Sequence, residues 1–205
     1  MDVIIATNNA HKADEISNTF KGLGIRFLTL EQAGISSDPE EDADSFEGNA
    51  RIKALAARKA LGSQAAEFAV LADDSGLEVD ALDGAPGVYT SRYSGNDGDD
   101  EANNELLLKN MADTPDDERT ARFVCTMVLI DSEGNETVSR GAVEGMIGYR
   151  ESGDKGFGYD PLFYPLAYNG EKTFAEVPQD EKNKISHRAK ALFGLSDEMK
   201  RVSAL

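Results

Sequence analysis

Apolar residues are distributed along the chain in two alternating patterns. Short apolar runs bounded by polar residues are typical of buried strands, whereas apolar residues spaced three or four positions apart are typical of helices packed on one face. Such runs occur at residues 2–6, 25–28, 70–72 and 122–130. Residues 77–82 alternate between apolar and polar and fit a strand, and residues 132–135 are expected to form a hairpin turn that leads to a strand at 137–140. The helical spacing marks four segments, carrying Ile16, Phe20 and Leu23; Phe46, Ala50, Ala54 and Ala57; Leu106, Leu107 and Met111; and Ala191, Leu192 and Leu195. The alternation predicts an α/β fold.

The run that begins at Val70 ends in the polar sequence Asp73-Asp74-Ser75-Gly76. Adjacent side chains on a strand point to opposite faces, so both carboxylates can face one ligand only if the backbone turns. Serine and glycine favour turns, and we expect one at Ser75-Gly76. Taken alone, such a sequence is more often a solvated turn than an active-site edge. Its interpretation therefore depends on the rest of the chain.

A polar segment from Thr7 to Lys12 joins the first strand to the first helix. Backbone N–H groups at the start of a helix favour an anion, and Thr7, Asn8 and Lys12 add donors and positive charge. On this segment alone, Asn8 or Asn9 acting as a plain helix cap explains the sequence equally well.

An acidic run at residues 37–44 precedes the second helix. Most such runs are solvated loops. Asp44 and Glu47 have the spacing of a capping box for this helix. Asn49 and Lys53, four positions apart, are expected to project together. A carboxylate before the helix and a lysine inside it can therefore share one ligand.

Two later segments combine glycine, aromatic and basic residues. Glycines bracket Phe157 within residues 153–160, which lets the backbone and a ring approach a planar ligand; a buried loop anchor is the alternative. Ser186 is expected to cap the following helix, which places His187 and Arg188 in its first turn, where positive charge opposes the helix dipole. This mismatch favours a role in ligand binding.

Composition limits the possible functions. The chain has 205 residues and is expected to form one domain, residues 1–205. Its formal net charge of −17 disfavours binding to nucleic acid or an anionic membrane, and a small anionic substrate would need a local cluster of Lys and Arg with a divalent metal. No apolar run reaches the length of a membrane span, so we expect a cytoplasmic location. Cys125 is the single cysteine and is expected to be buried in a strand; with two histidines, any metal would be a hard cation bound by carboxylates.

Four separated parts of the chain together resemble the inosine triphosphate pyrophosphatase family, whose members hydrolyse non-standard purine nucleoside triphosphates to monophosphate and pyrophosphate. Each motif alone is weak, whereas the ordered set is specific. Residues 84–87 and 92–95 extend the match over nearly the whole chain. The four parts are residues 7–12, 40–53, 73–76, and 157–160 together with 182–188.

The resemblance implies a role for each matched position. Asp74 would be the general base, and residues 7–12 would hold the phosphates. The nucleoside would lie against residues 157–160 and the basic positions near 182–188. The implied substrate-binding residues are Thr7, Asn8, Asn9, Ala10, His11, Lys12, Lys53, Ser75, Phe157, Gly158, Tyr159, Asp160, Lys182, His187 and Arg188. The candidate metal ligands are Glu40, Glu41, Asp73 and Asp74.

This chain departs from the family pattern in two places. Members usually have glycine soon after the paired glutamates, where this chain has Asp42-Ala43, so the choice between Glu40 and Glu41 is open and we favour Glu41. They also have glycine at the position of Asn8, which matters if Asn8 adopts a positive φ.

Hydrolysis of a phosphoanhydride needs charge neutralisation and a positioned water. We expect Glu41 and Asp74 to hold Mg²⁺, and Asp74 to orient and deprotonate the water. Asp73 would tune Asp74 or bind the metal itself. Three lysines would neutralise the phosphates: Lys12, Lys53 and Lys182.

The expected substrates, the triphosphates of inosine, deoxyinosine and xanthosine, carry an oxygen at position six of the purine, so their pocket needs donors. Arg188 and backbone N–H groups near His187 would supply them, and Phe157 would stack on the ring. In the alternative, Arg188 only ties the last helix to an acidic neighbour.

The resemblance further implies a mixed, elongated central sheet flanked by helices, two lobes with a cleft, and a homodimer. Two other functions stay open: a nucleotide pyrophosphatase of the related septum-inhibition family, and a catalytically idle sensor of purine nucleotides.

Overall fold

Most helices and strands lie close to where the apolar pattern predicts them, whereas the sixth strand and the fourth and sixth helices were not predicted. The computed structural model describes residues 2–19 and 25–203. Phe20 and Leu23, which we expected in the first helix, lie outside the described residues. The elements are β1 (Asp2–Ile5), α1 (Ala10–Thr19), β2 (Arg26–Thr29), α2 (Phe46–Leu61), β3 (Phe68–Val79), α3 (Asp100–Asn110), β4 (Thr120–Ile130), β5 (Glu136–Ile147), β6 (Phe163–Pro165), α4 (Gln179–Ile185), α5 (His187–Gly194) and α6 (Ser196–Ser203).

Within the described residues, six strands form one sheet in the order β2-β1-β3-β4-β5-β6. β1 runs parallel to β2 and β3, with Val3 level with Phe27 on one side and Ala69 on the other. β5 and β6 are antiparallel. Residues 131–135 connect β4 to its neighbour β5, and so short a link cannot join parallel strands, so it is the predicted hairpin. The α/β class and the mixed sheet with flanking helices are thus confirmed.

The chain divides into two compact units. The first comprises the described parts of residues 1–74, 125–141 and 188–205, and the second comprises Ser75–Val124 and Ala142–His187. Two units agree with the two lobes that the resemblance implies. A single domain over residues 1–205 stays a prediction, and so does the cleft.

In the first unit, different helices cover the two faces of the sheet. Leu71 of β3 packs in one apolar cluster with residues of α1, α5 and α6, whereas Val70 packs in another with residues of α2. Because side chains alternate along a strand, Asp73 continues the face of Leu71 and Asp74 continues the face of Val70. The buried Cys125, which lies on β4 as predicted, belongs to the first cluster.

An aromatic cluster forms the core of the second unit. The ring centroid of Phe123 lies 4.7 Å from that of Phe163 and 6.1 Å from that of Phe174. Leu107 of α3 and Tyr159 belong to the same cluster. Tyr159 is only 1% exposed, so it anchors the loop that carries residues 157–160.

β3 continues through Ser75 and Gly76 to Val79, so the predicted turn at Ser75-Gly76 is wrong. These residues favour turns locally, but sheet pairing and the burial of Leu77 and Val79 keep the backbone extended. The strand predicted at residues 77–82 is accordingly the end of β3, followed by a short 3₁₀ turn.

The N-cap of α2 is Ser45, so the predicted cap, Asp44, is wrong by one residue. The Ser45 hydroxyl accepts a hydrogen bond from the Gly48 backbone N–H at 3.2 Å. That N–H belongs to the third residue of the helix, which is the donor an N-cap side chain reaches.

Candidate active site

Asp74, Glu41 and Lys53 form a compact polar group in the first unit. The Lys53 Nζ lies 2.8 Å from an Oε atom of Glu41 and 3.1 Å from an Oδ atom of Asp74. Asp74 is supplied by β3, Lys53 by α2, and Glu41 by the acidic segment before α2. One ammonium group therefore joins two carboxylates that are distant in sequence.

Asn49 completes this group, one turn of α2 before Lys53. Its Nδ2 donates to the second Oδ atom of Asp74 at 3.3 Å, and its Oδ1 accepts from the Ala43 backbone N–H at 3.0 Å. Asn49 is 1% exposed, so this one side chain fixes both the carboxylate and the segment that carries Glu41. The helical spacing of Asn49 and Lys53 predicted that they project together, but not that Asn49 holds Asp74.

Burial and charge shift the pKa values of this group. Burial raises the pKa of Asp74 above its usual value, although the positive charges of Lys53 and Lys12 oppose the shift. Burial acts in the opposite sense on Lys53, but Asp74, Asp73 and Glu41 outweigh it and raise the pKa of its ammonium. A carboxylate whose pKa is raised is a stronger proton acceptor than an ordinary one.

Asp73 lies in a different charged group. The Lys12 Nζ approaches it to 3.0 Å, and the Arg188 Nε lies 3.7 Å away. Arg188 also donates a short hydrogen bond to Glu15 of α1. Although burial opposes it, the charges of Lys12 and Arg188 hold the pKa of Asp73 well below its usual range. Asp73 is therefore a buried anion held by two cations, on the face of β3 opposite to Asp74.

The contacts of Arg188 match the alternative stated above, in which this arginine only ties its helix, α5, to an acidic neighbour. Glu15, which is 9% exposed, is that neighbour. Sequence reasoning did not select Glu15, because it lies 173 positions before Arg188 in the chain. A role of Arg188 in reading the base stays a prediction.

The loop at residues 7–12 is organised by its own polar side chains. The Oδ1 of Asn9 accepts from the Lys12 backbone N–H at 3.2 Å, which is the capping arrangement. Thr7 Oγ1 accepts from the Asn9 N–H at 3.2 Å, and Asn8 donates to the Ser37 carbonyl at 3.2 Å. Ala10 begins α1, and the side chain of His11 lies outside the described residues.

Asn8 needs no left-handed backbone here. Among the described residues, positive φ outside glycine occurs at Asp83 and Asn169. The replacement of the family's glycine by Asn8 therefore causes no strain in this loop.

The two adjacent glutamates have different surroundings. Glu40 is exposed, whereas Glu41 is partly buried and paired with Lys53 beside Asp74. In the part of the chain that the structure describes, no three His, Cys, Asp or Glu side chains come close enough to hold a metal ion. Mg²⁺ commonly takes only one or two protein carboxylates and completes its shell with water and substrate phosphates. The pair Glu41 and Asp74, which already binds one cationic group, fits that requirement.

In the second unit, residues 156–160 form a tight loop around Asp160. The Asp160 Oδ2 accepts from the Phe157 backbone N–H at 3.0 Å and from Lys182 Nζ at 2.5 Å. A Cβ on Gly156 would lie 2.0 Å from that same oxygen, so only glycine fits there. The Lys182 ammonium also lies 5.0 Å from the centroid of the Phe157 ring.

The remaining predicted positions of this unit have mainly core contacts. The Tyr159 hydroxyl donates to the Thr90 carbonyl at 3.0 Å, and burial raises the pKa of the phenol. The His187 ring stacks on Phe123 at 5.1 Å. Ser75 is partly buried on β3. The contacts of Tyr159 are therefore those of a buried residue that anchors the loop, which was the alternative to ligand binding.

None of the described helices is long and apolar enough to cross a membrane.

The fold and the charged groups define an α/β protein with a site suited to a phosphorylated ligand, and comparison with known proteins defines it further. A model of the Ham1 family matches residues 3–198. The chain belongs to the Ham1 family, which confirms the resemblance seen in the sequence.

Named relatives support the assignment. The dITP/XTP pyrophosphatase of Clostridium perfringens is 49% identical over 198 residues, covering 96% of each chain. That of Exiguobacterium sibiricum is 47% identical over 192 residues, covering 94% of this chain and 93% of the relative.

Solved structures have the same fold. The Ham1 protein of Staphylococcus aureus superposes with a TM-score of 0.84 at 37% identity, covering 98% of this chain and 99% of that one. The nucleoside-triphosphatase / dITP/XTP pyrophosphatase of Mycobacterium abscessus gives 0.75 at 40% identity, covering 95% and 97%.

Proposed function

We propose that this protein is a nucleoside triphosphate pyrophosphatase that hydrolyses the triphosphates of inosine, deoxyinosine and xanthosine to the monophosphate and pyrophosphate. One observation carries the proposal: in a chain that matches dITP/XTP pyrophosphatases over nearly its full length, Lys53 joins the carboxylates of Glu41 and Asp74. Carboxylates for a hard cation and a lysine for phosphate are the groups that phosphoanhydride hydrolysis requires.

Asp74 acts as the general base in this proposal. Its raised pKa brings it nearer to neutral pH, which strengthens it as a proton acceptor, and the amide of Asn49 restricts the orientation of its carboxylate. Asp73, committed to Lys12 and Arg188, holds these two cations in place.

The phosphates are held by positive charge and donors of the first unit. Lys12 and Lys53 neutralise them, and the polar groups of residues 7–10 add hydrogen bonds. Glu41 and Asp74 would hold Mg²⁺, with Glu40 and Asp73 as the less suited candidates, and the ion would supply further charge neutralisation. Glu41 and Asp74 would then bind the ion in place of Lys53.

In the proposal, Phe157 is the ring that stacks on the nucleoside. Lys182 keeps Asp160 and therefore the loop in place, and it adds positive charge beside the ring. Donors near His187, together with Arg188, would select an oxygen at position six of the purine. Ser75 and Tyr159 complete the proposed set.

The other functions gain no support from the geometry. A sensor that only binds nucleotide needs no base of raised pKa beside a lysine, and the named relatives above are dITP/XTP pyrophosphatases rather than septum-inhibition proteins. Homodimer formation, a cytoplasmic location, and the lack of binding to nucleic acid or membrane stay predictions.

The proposal is tested by identifying the products of the wild-type protein with inosine, xanthosine, adenosine and guanosine triphosphates in Mg²⁺. We expect pyrophosphate and monophosphate from the first two at a much higher kcat/KM than from the others. Release of inorganic phosphate and diphosphate would show cleavage at the wrong bond, and equal rates for all four would remove the proposed selectivity.

A further inference from the structure

Two side chains of α3 hold the backbone of Gly158, the residue that follows Phe157. The Gly158 backbone N–H donates to Asp100 Oδ2 at 2.7 Å, and the Gly158 carbonyl accepts from Asn104 Nδ2 at 3.2 Å. Asp100 and Asn104 lie four positions apart and therefore share one face of the helix. The N–H and the carbonyl of Gly158 are thus both hydrogen-bonded to side chains of α3.

The orientation of the Asn104 amide follows from this contact, because a carbonyl oxygen only accepts and the nitrogen must face it. Asn104 is 3% exposed, and its Oδ1 has no hydrogen-bond partner among the described residues. An unsatisfied buried acceptor is costly, and the hydrogen bond from the Asn104 nitrogen to Gly158 offsets part of that cost.

Such restraint is needed at this point of the loop. Gly156 and Gly158 have φ of +76° and +61°, conformations in which glycine is one of the few residues without strain. Glycines on both sides of Phe157 also give the loop many other accessible conformations, since a glycine backbone is the least restricted. On the N-terminal side, Asp160 fixes the Phe157 N–H; on the C-terminal side, α3 fixes Gly158.

We infer that Asp100 and Asn104 are positioning residues for nucleotide binding: they hold Gly158 so that the Phe157 ring is fixed in place before the purine stacks on it. The inference rests on the proposed function, in which Phe157 stacks on the base. Neither residue touches the substrate. Their effect is to remove the ordering cost that a flexible ring would add to binding.

Asp100→Ala is the first test, because Asp100 is exposed and its loss leaves the core intact. We expect KM for inosine triphosphate to rise about fivefold with kcat nearly unchanged, because a lost hydrogen bond to a charged acceptor weakens binding of ground and transition states alike. Asp100→Asn should stay within about twofold of wild type, because its amide oxygen still accepts from Gly158.

Glu101→Ala is the matched control, since Glu101 is an exposed acid in the same first turn of α3. It should leave KM unchanged. If Asp100 served only the helix dipole, Asp100→Asn and Glu101→Ala would lower the melting temperature like Asp100→Ala, and none of the three would change KM.

Two ligands separate this inference from the proposed function. The inhibition constant of inorganic tripolyphosphate, which has no base, should be the same in wild type and Asp100→Ala. The dissociation constant of inosine monophosphate, measured by calorimetry, should rise in Asp100→Ala and in Asn104→Leu, and stay near wild type in Asp100→Asn.

A wild type that binds inosine monophosphate without hydrolysing the triphosphate would overturn the proposed function, and the binding ratios would still decide the role of α3. Equal weakening of tripolyphosphate and nucleotide, or unchanged nucleotide binding in both Asp100→Ala and Asn104→Leu, would overturn the inference.

Discussion

At the scale of single residues, Asp73 and Asp74 show how one strand separates two functions. Their pKa values shift in opposite directions, because Asp73 faces Lys12 and Arg188 whereas Asp74 is buried with one lysine as its main partner. The alternation of β3 alone places them in these two environments. One carboxylate is thus a fixed anion, and its neighbour, whose pKa is raised, is the proposed general base.

The different roles of Asp73 and Asp74 are tested by the stability of two variants in which each aspartate is replaced by asparagine. Asp73→Asn should lower the free energy of unfolding by about 3–5 kcal/mol, because the partly buried Lys12 loses its anion and the buried Arg188 loses one anion and keeps Glu15. Asp74→Asn should change it by less than about 1 kcal/mol, since Lys53 keeps Glu41 and burial of a charge is relieved. Urea unfolding of both variants measures the difference, and equal losses would contradict the assignment.

Arg188 is tested by the ratio of activities rather than by activity alone. Arg188→Ala should lower kcat/KM roughly ten- to a hundredfold for inosine triphosphate and little for ATP, because adenine offers no acceptor to a buried donor. Phe157→Ala should weaken both substrates about equally, since stacking does not discriminate. A destabilised Arg188→Ala with its substrate ratio intact would leave Arg188 as the partner of Glu15 and nothing more.

The paired glutamates are distinguished by their need for metal. Glu41→Gln should raise the Mg²⁺ concentration for half-maximal activity by about tenfold or more, whereas the exposed Glu40→Gln serves as its matched control and should change it little. The reverse order would transfer the metal ligand to Glu40.

At the scale of elements, the link between β4 and β5 is fixed by one buried carboxylate. Asp131 accepts from the backbone N–H groups of Glu133 and Asn135, each at 2.9 Å, and from Arg201 of α6 at 2.7 Å. Arg58 of α2 donates to the Asp131 carbonyl at 2.7 Å. This turn therefore ties two helices of the first unit to the sheet.

The stability of this link should depend on pH. Burial opposes the change, but hydrogen bonds from Asn135 and Arg201 lower the pKa of Asp131 to about 2. Since an unfolded Asp titrates near about 3.9, the stabilisation is complete above about pH 4 and is lost as the pH falls through the folded-state pKa. Asp131→Asn should therefore cost about 1–3 kcal/mol at pH 7 and progressively less towards pH 2.

Unfolding of wild type and Asp131→Asn at several pH values measures this effect. Asp117→Asn, at an exposed position, is the control. Its free energy of unfolding should differ from that of wild type by the same small amount at every pH. A cost for Asp131→Asn that is the same at pH 7 and pH 2 would contradict the account.

Two predictions failed at this scale, each for its own physical reason. Ser75 and Gly76 prefer a turn in isolation, yet they lie inside a strand of 12 residues because sheet pairing and burial outweigh local preference. Ser45 rather than Asp44 caps α2, because an N-cap depends on where the first helical turn begins, which the spacing of apolar residues locates only to within a residue or two.

At the scale of the whole molecule, the sequence predicted what depends on local pattern. The alternation of apolar runs and helical spacing indicated the α/β class, since burial leaves a periodic signal. The ordered motifs indicated the family. Glu41, Lys53 and Asp74 are in contact, and their roles in catalysis stay predictions. Contacts such as Glu15 with Arg188 and Asp100 with Gly158 join distant positions and leave no local signal.

The molecule carries a net charge of −17, and binding of a polyphosphate must overcome it. Three lysines lie where the substrate is proposed to bind: Lys12 beside Asp73, Lys53 beside Asp74, and Lys182 beside Phe157. In the proposal, Lys53 pairs with Glu41 and Asp74 until the substrate binds, whereas Lys182 keeps its contact with Asp160.

The most direct test of the central claim is pyrophosphate release from inosine triphosphate by Asp74→Asn in saturating Mg²⁺, measured together with the affinity for the nucleotide. The amide keeps the shape of the side chain and its contact with Asn49 but cannot accept the proton, so turnover should fall on the order of 10²–10⁴-fold while binding persists. Turnover at the wild-type rate would contradict the assignment of Asp74 as the general base.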